Sequence, residues 1–316
     1  MKNTKGIVLI TGANSGIGRA AALRFATEGY SVIMGCRNIE RSKPVQQEIK
    51  ETAKNDRVDL MELDMSSFNS IKKFCAEYQN RYPKLDILIH NAAYFNHGEK
   101  YRLSEDNIEL TFATNLFGPF LLTNLLLNHL KESDDPRILH ASSNIIKHFF
   151  DPRKTIDFNN LHGEEGASRS HQVYNRYCQS KMALVMLTFQ MAEKLRADGI
   201  KINALQINGA KMSKQTLKKF KPKWRLIARV QNLFFPPTTY MANNYFEICT
   251  SDRFKDTTGK LFNDKLEIMQ RGAEQYPGIY KQLKQILGSS VYPAYADDKE
   301  TKGAVLVVAQ SKCGIS

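Results

Sequence analysis

The stretch IVLITGANSGIG, residues 7–18, decides the fold. Its first part, residues 7–10, is β-branched or aliphatic throughout, which is typical of a strand buried on both faces of a sheet. Glycines follow at positions 12, 16 and 18, and a helical pattern covers residues 19–28. Such glycines permit a tight turn, and the next helix offers free N–H groups to a phosphate. We therefore expect a nucleotide site here; the alternative is an ordinary glycine-rich turn.

Strands and helices alternate along the rest of the chain. This alternation predicts an α/β fold, a Rossmann-type doubly wound parallel sheet of about seven strands with helices on both faces. We expect one domain over residues 1–270 and a C-terminal extension over 271–316 with one short helix near 280–287. The other strands are predicted at 31–36, 58–63, 85–90, 137–141, 200–207 and 258–262, and the other helices at 40–54, 68–82, 109–130, 172–198 and 237–249.

Composition narrows the class of protein. A chain of 316 residues with 42% hydrophobic and 24% charged residues has ordinary globular composition. The five cysteines are scattered without a Cys-x-x-Cys pair and the histidines lack ligand spacing, so we expect no disulfide framework and no metal site. Residues 1–6 run straight into the first strand, and no run of eighteen apolar residues occurs. These features predict a cytoplasmic protein without a signal peptide or a transmembrane helix.

Residues at the carboxyl ends of the early strands suggest which nucleotide binds. Arg37 follows the second strand, where an acidic residue usually meets a free ribose 2′-hydroxyl and an arginine suits a 2′-phosphate. NADP(H) is therefore favoured over NAD(H). Asp64 ends the third strand and could contact the adenine edge or cap a turn. Asn91, Ala92 and Ala93 follow the fourth strand, and their small side chains allow a close approach to a cofactor.

The second half of the chain carries the candidate chemistry. Asn115 is a polar amide within an apolar helix, which indicates a hydrogen-bond partner or a backbone break. Ser142 and Ser143 follow the fifth strand. Tyr177 and Lys181 lie four apart, on one face of a helix. A cation ~4 Å from a phenol, at an effective dielectric near 20, is worth about 4 kcal/mol, which predicts a Tyr177 pKa near ~7 and a general acid/base. The alternative is a helical surface pair.

Together these pieces resemble the short-chain dehydrogenase/reductase family. Residues 11–18, Asn91-Ala92-Ala93, Asn115, Ser143 and the pair Tyr177 and Lys181 occur in the family's order, and the match covers about residues 5–265. Within the family, the retinol-dehydrogenase-like group is the most similar, on residues 35–38, 115–123 and 224–226 and an insertion between Ser143 and Tyr177. Two departures are visible. Ala93 replaces a glycine, and Asn208-Gly209 replaces the usual Pro-Gly, which leaves the cofactor contact of this loop open.

The resemblance implies a role for each candidate residue. Tyr177 is the general acid/base, Ser143 bonds the same substrate oxygen, Lys181 lowers the tyrosine pKa and binds the nicotinamide ribose, and Asn115 anchors a chain of waters. The cofactor would be held by Gly12, Asn14, Ser15, Gly16, Ile17, Gly18, Arg37, Asp64, Asn91, Ala92, Tyr177, Lys181 and Gly209.

The implied function is an NADP(H)-dependent oxidoreductase that interconverts a lipophilic alcohol and its aldehyde or ketone. Retinoids, steroids and fatty aldehydes are the substrate class, which points to lipid metabolism. A reductase of small xenobiotic or acyl carbonyls is one alternative. A nucleotide-sensing protein that kept the fold without turnover is the other, and the presence of Asn115, Ser143, Tyr177 and Lys181 argues against it.

The basic charge is concentrated in one segment. The chain has a net charge of +13, yet residues 199–246 contain no Asp or Glu, and eight Lys or Arg lie between positions 211 and 231 among Leu, Phe and Trp. In the family, this region, about 210–236 here, forms a mobile lid over the substrate. A basic amphipathic segment also suits peripheral contact with a membrane, or a solvated basic face. Nucleic-acid binding is disfavoured because no recognition motif accompanies the cluster, and an oligomer is left open.

Overall fold

The apolar runs of the sequence form the strands of one parallel sheet. The computed structural model describes residues 4–95, 101–161, 170–218, 222–272 and 290–315. Seven strands lie in the order β3-β2-β1-β4-β5-β6-β7, all parallel, which confirms the predicted doubly wound sheet. Their bounds are β1 Ile7–Thr11, β2 Ser31–Cys36, β3 Val58–Glu62, β4 Ile87–His90, β5 Arg137–Ser143, β6 Lys201–Ile207 and β7 Leu261–Phe262.

Helices cover both faces of this sheet. Strand β1 shows why, because Val8 and Ile10 enter the core on one face while Ile7 and Leu9 enter the core on the other. The first face is packed by α1 and α10, and the second by α3, α5 and α7. The helices are α1 Gly16–Thr27, α2 Ile39–Ala53, α3 Phe68–Arg81, α4 Leu110–Phe112, α5 Gly118–Leu125, α6 Leu127–Lys131, α7 Ser170–Lys194, α8 Lys214–Lys218, α9 Pro222–Phe234, α10 Thr238–Thr250 and α11 Lys299–Cys313.

The strand order reverses between β1 and β4. The connection from β1 leads to β2 on one side, whereas β4 continues the sheet on the other side. In open α/β sheets, ligands bind in the crevice beyond the carboxyl ends of the strands at such a reversal. The ends of β1 and β4 are therefore where a nucleotide site is expected.

The predicted helix at 109–130 is broken, which corrects that prediction. A π-helical turn, Ala113–Phe117, separates α4 from α5, and Leu126 separates α5 from α6. Gly118 begins α5, and a Cβ at this position would collide with the backbone carbonyl oxygen of Met65. Inserted π-turns are frequent at functional sites, and this one carries Asn115.

The C-terminal segment contains two elements that the sequence pattern did not predict. Gln270–Arg271 and Val291–Tyr292 form a small two-stranded parallel sheet, β8 and β9. Helix α11 buries Val305, Ala309 and Cys313 in the same core as α5 and α7. The Cys313 thiol also donates to the Phe117 carbonyl at 3.6 Å, so the helix supports the π-turn directly. The short helix expected near 280–287 lies outside the described residues.

Candidate active site

The glycine-rich turn after β1 leaves its backbone bare toward the sheet crevice. Gly12 has φ +67°, and a Cβ there would lie 3.1 Å from the Cα of Ala92. Gly18 packs so closely on Gly12 and on the side chain of Asn91 that no side chain fits. Gly16 has φ +55° with open space beside it and begins α1. This arrangement suits a phosphate that approaches the backbone at a helix N-terminus.

A cleft of about 900 Å³ opens at this turn. Several predicted cofactor residues do not line it: Ile17 and Gly18, which follow the turn, and Tyr177, Lys181 and Gly209, which belong to the second half of the chain. The predicted residues that do line it are Gly12, Asn14, Ser15, Gly16, Arg37, Asp64, Asn91 and Ala92.

One part of the cleft lining is rich in arginine. Arg37 is 71% exposed, and its Nε lies 4.0 Å from Asp64 Oδ2. The other carboxylate oxygen of Asp64 accepts hydrogen bonds from the N–H and the hydroxyl of Ser66, at 2.9 and 2.7 Å, so Asp64 caps a turn as well as lining the cleft. Arg19 and Arg41 also line the cleft, and the sequence analysis missed both. Their position in the first turns of the helices after β1 and β2 was the available signal.

Asn91 joins the ends of the two strands at the reversal. Its Nδ2 donates to the Thr11 carbonyl at 3.0 Å, and its Oδ1 accepts from the Tyr245 hydroxyl at 3.2 Å. The backbone N–H groups of Asn91 and Ala92 both donate to the Thr11 hydroxyl, at 3.0 and 2.9 Å. The side chain of Asn91 therefore shapes the floor of the cleft.

Asn115 connects the lining of the cleft to α7. Its amide oxygen accepts from the Tyr94 N–H at 2.8 Å, and its Nδ2 donates to the Tyr94 carbonyl at 2.9 Å and to Ser180 Oγ at 3.1 Å. Both predicted reasons for a buried amide, a partner and a backbone break, are thus present. These three bonds join the side chain of Asn115 to protein groups. The chain of waters that the family resemblance implies for Asn115 stays a prediction.

Ser143, Tyr177 and Lys181 meet where the end of β5 faces α7. The Ser143 hydroxyl accepts from the Ile145 N–H at 3.3 Å and lies close enough to the Tyr177 phenol to lower its pKa. Lys181 Nζ donates to the Ala141 carbonyl at 2.7 Å and lies 5.9 Å from the centroid of the Tyr177 ring. Phe95, which lines the cleft, packs edge-to-face on Tyr177 with centroids 4.8 Å apart. The three polar groups therefore adjoin the cleft through the Tyr177 ring.

The ionisation of this group differs from the prediction. Burial raises the pKa of Tyr177 to about 12, although the Ser143 hydroxyl acts in the opposite direction. Burial also lowers the pKa of Lys181 to about 8. The expected Tyr177 pKa near ~7 is wrong for this structure, because the ammonium group is bonded to the Ala141 carbonyl rather than to the phenol. Tyr177 is consequently protonated at neutral pH and can donate a proton.

The Asn208-Gly209 turn after β6 is held without the usual proline. The Asn208 carbonyl accepts from the side chain of Asn144 at 3.4 Å, and its Oδ1 accepts from Gln206 Nε2 at 2.9 Å. Gly209 has φ +151°, and a Cβ there would lie 2.6 Å from the ring of Phe235. Glycine is therefore needed so that Phe235 can pack on the turn.

The predicted lid consists of α8 and α9, and its two ends meet. The Lys211 N–H donates to the Pro236 carbonyl at 2.9 Å, and Ser213 and Thr216 line the cleft. Large apolar side chains on α9 face solvent, and residues 219–221 of the basic run lie outside the described residues. The exposed fractions are 66% for Leu226, 52% for Val230, 75% for Leu233 and 82% for Phe234.

Two further properties concern metals and membranes. Within the described part of the chain, no three His, Cys, Asp or Glu side chains converge as a metal site would require. None of the helices that the structure describes is both long enough and apolar enough to cross a bilayer.

Comparison with known proteins relates this site to one family. The family model described as short chain dehydrogenase matches residues 6–150. Retinol dehydrogenase 13 of Homo sapiens is 32% identical over 271 residues, which span 81% of this chain and 75% of that protein. Retinol dehydrogenase 14 of Mus musculus is 37% identical over 208 residues, which span 63% of this chain and 59% of that protein.

A solved structure shows the same fold. It is described as a short chain dehydrogenase from Shigella flexneri 2a complexed with NADP, and it superposes with a TM-score of 0.63 at 20% identity. The aligned region covers 83% of this chain and 98% of that one.

Proposed function

The chain belongs to the short-chain dehydrogenase family, in its retinol-dehydrogenase-like group, and we propose that it is an NADP(H)-dependent oxidoreductase acting on a lipophilic alcohol and its aldehyde or ketone. The observation that carries this proposal is the meeting of Ser143, Tyr177 and Lys181 at the carboxyl edge of the sheet. That edge adjoins a cleft with a bare glycine turn and several arginines. The names of the related retinol dehydrogenases support the substrate class.

The cleft fits a dinucleotide with a 2′-phosphate. The bare turn at Gly12 and Gly16 suits the pyrophosphate, and Arg37 and Arg41 supply cations beyond the end of β2. The Asp64 carboxylate 4.0 Å from Arg37 offsets part of that charge, so we assign the preference to the arginines together. The solved structure described with NADP supports this assignment. When bound, the cofactor supplies the hydride.

The residues of the chain handle the proton. The Tyr177 phenol, protonated at neutral pH, donates its proton to the carbonyl oxygen of the substrate, while the Ser143 hydroxyl holds the same oxygen. The Lys181 ammonium, fixed by the Ala141 carbonyl, stabilises the phenolate that forms. In the alcohol direction the same groups act in reverse. Asn115 bonds both the Tyr94 backbone and Ser180 of α7, and so holds these two segments together.

The lid favours a lipophilic substrate and, we propose, peripheral contact with an anionic membrane. The exposed face of α9 combines Leu226, Val230, Leu233 and Phe234, which recur at helical spacing. Lys211, Lys218 and Arg229 are exposed cations on the same segment. Apolar side chains of this kind sit at headgroup depth in interfacial helices, and cations attract anionic lipids. A lipophilic substrate would then reach the cleft from the bilayer.

The test is NADPH oxidation with aldehydes and ketones of graded chain length, for the parent and for Arg37→Ala. We expect kcat/KM to rise with chain length, because each buried CH₂ contributes about 0.8 kcal/mol. We expect Arg37→Ala to weaken NADPH binding roughly tenfold and NADH binding little. Charge-assisted contacts are worth about 1.5–3 kcal/mol, and the lower end applies to so exposed a side chain. Arg37→Lys, which keeps the charge, is the control.

Two results would contradict the proposal separately. Equal affinity of the parent for NADPH and NADH would remove the cofactor assignment. A preference for the shortest carbonyls would favour the alternative of a small-carbonyl reductase and leave the reaction type intact.

A further inference from the structure

A layer of buried polar side chains lies between the sheet and α7. His90 on β4 is the register partner of His140 on β5, and Ser142 on β5 is the partner of Gln206 on β6. Because strand side chains alternate, residues 140 and 142 point to the same face. His140 Nδ1 lies 2.8 Å from the Thr188 hydroxyl of α7, which identifies that face as the one covered by the catalytic helix.

Each of the four side chains in this layer has a polar atom without a hydrogen-bond partner. Their exposed fractions are only 0–2%, and buried polar atoms are ordinarily hydrogen-bonded. Four exceptions on one face therefore indicate a group that the protein residues do not supply. Among the described residues, the unpartnered atoms of the layer are His90 Nδ1, His140 Nε2, Ser142 Oγ and Gln206 Oε1.

The tautomer of His140 follows from its neighbours. The Thr188 hydroxyl donates to the Leu184 carbonyl at 2.7 Å, so it must accept from His140 Nδ1–H. His140 Nε2 is consequently an unprotonated acceptor. Burial, with a smaller effect from the Lys181 charge, lowers the pKa of His140 to about 3, so Nε2 stays unprotonated throughout the physiological range.

The Lys181 ammonium, whose charge acts on His140, can supply the missing hydrogen-bond donors. It has three N–H groups, and one of them donates to the carbonyl of Ala141, the residue next to His140. The rings of His90 and His140 lie 4.9 Å apart, centroid to centroid. A buried water typically makes about three hydrogen bonds to otherwise unsatisfied groups. One water can therefore hydrogen-bond both rings and accept a hydrogen bond from the ammonium.

We propose that His140 and His90 form a binding site for one ordered water behind the catalytic residues, and that this water holds the Lys181 ammonium. The water accepts from Lys181 Nζ, donates to His140 Nε2 and hydrogen-bonds His90 Nδ1. His140 is thereby a positioning residue that acts through Lys181 and keeps it charged. The water site itself does not depend on the proposed reaction. Only the kinetic measurement described below rests on the proposed function.

The neighbouring titratable groups leave Lys181 alone in the relevant pH window. Burial raises the pKa of Tyr177 and of Cys178 to about 12, and burial lowers the pKa of His90 well below its ordinary value. Of these groups, Tyr177 lies 5.9 Å from Lys181 Nζ, measured to the ring centroid, and the Lys181 charge acts on His140. Among these groups Lys181, with a pKa of about 8, is the one that titrates between pH 7 and 9. Burial also lowers the pKa of Lys147 to about 8, so the NMR signal has to be assigned to Lys181.

The direct measurement is the pKa of Lys181 Nζ by NMR, in protein labelled at the lysine side-chain nitrogen. We expect His140→Leu to lower it by at least about one unit, a tenfold loss of proton affinity. His140→Gln retains an acceptor and should restore most of the parent value. Asn203→Leu is the matched control, because Asn203 is equally buried on β6 but points to the opposite face. It should leave the Lys181 pKa unchanged whatever it does to stability.

Thr188→Val keeps the test decisive if His140→Leu does not fold. Removal of the hydroxyl frees the tautomer of His140, so the Lys181 pKa should again fall. A Lys181 pKa that is unchanged in both variants would overturn the proposal, as would imidazole nitrogen shifts that show a proton on His140 Nε2 in the parent. The alkaline limb of kcat/KM should move with the NMR value. An NMR shift without movement of that limb would contradict the proposed role of Lys181 and leave the water site intact.

Discussion

Helices α7 and α9 both adjoin the candidate site, but they differ in how far their apolar side chains are exposed to solvent. Residues 182–187 of α7 are all buried, each at 0–1% exposure. In α9, by contrast, Leu226, Val230, Leu233 and Phe234 are each more than half exposed. The helix that carries Tyr177 and Lys181 is sheltered by the sheet and by α11. The helix that belongs to the lid turns an apolar face to solvent.

This difference reflects what each helix has to do. A proton donor must be held within about half an ångström of its productive position, which requires rotamers locked by packing. A lid has to open for substrate and close again, so it cannot be buried in the same way. The chemistry is therefore expected to depend on α7 and the end of β5, and the access of lipophilic molecules on α9.

The sharpest test of that division is Tyr177→Phe. Loss of the proton donor should reduce kcat by at least ~10²-fold, the usual range for a general acid, with cofactor affinity nearly unchanged. Tyr174→Phe is the matched control, since Tyr174 lies one turn earlier on α7, is 43% exposed and bonds His148. Single-turnover kinetics with both variants make the comparison. Equal rates for the two variants would remove Tyr177 from the chemistry.

The pH dependence separates the two ionisable groups of α7. Burial lowers the pKa of Lys181 to about 8, so the ammonium is charged below that pH and neutral above it. Burial keeps the pKa of Tyr177 near 12, so the phenol remains protonated throughout. We expect kcat/KM for carbonyl reduction to fall roughly fivefold between pH 8 and 9, because about half of the group is charged at the pKa and about a tenth one pH unit above it.

The variant Lys181→Arg tests whether Lys181 causes this loss of kcat/KM at alkaline pH. Its guanidinium stays charged at every accessible pH, so the alkaline fall should disappear even if overall activity is lower. An alkaline limb that persists in Lys181→Arg would assign it to another group.

The smallest effect is expected on the lid. Replacement of Leu233 and Phe234 by Ser should leave kcat on a short aldehyde unchanged and weaken co-sedimentation with anionic vesicles several-fold, since burying such side chains contributes about 1.5–3 kcal/mol each when complete. Val307→Ser is the control, because Val307 is 62% exposed on α11, outside the lid. Binding that is no better to anionic than to neutral vesicles, or insensitive to salt, would contradict the membrane proposal and leave the reductase intact.

The sequence predicts the central sheet well and the ionisation of the site poorly. Continuous apolar strands and the glycines at 12, 16 and 18 are local signals, so the seven parallel strands and the glycine-rich turn after β1 follow from them. Helix α11 was missed because Val305, Ala309 and Cys313 are separated by polar and apolar residues alike and its burial depends on α7. The Tyr177 pKa was misjudged because spacing on a helix does not reveal that Lys181 bonds a strand carbonyl.

The tie at the base of the lid has a consequence for how such a protein can change. The Lys211 N–H and the Pro236 carbonyl hold the two ends of the segment together at 2.9 Å, and the side chain of Asn232 bonds the backbone of Met212 at both its N–H and its carbonyl. The segment is thus a loop that is closed at its base, with its first and last residues side by side. Doubling the length of such a closed loop costs only about 0.6 kcal/mol. Insertions, deletions or wholesale exchange can accumulate there while the sheet and α7 stay as they are, so new substrate ranges can evolve without rebuilding the catalyst.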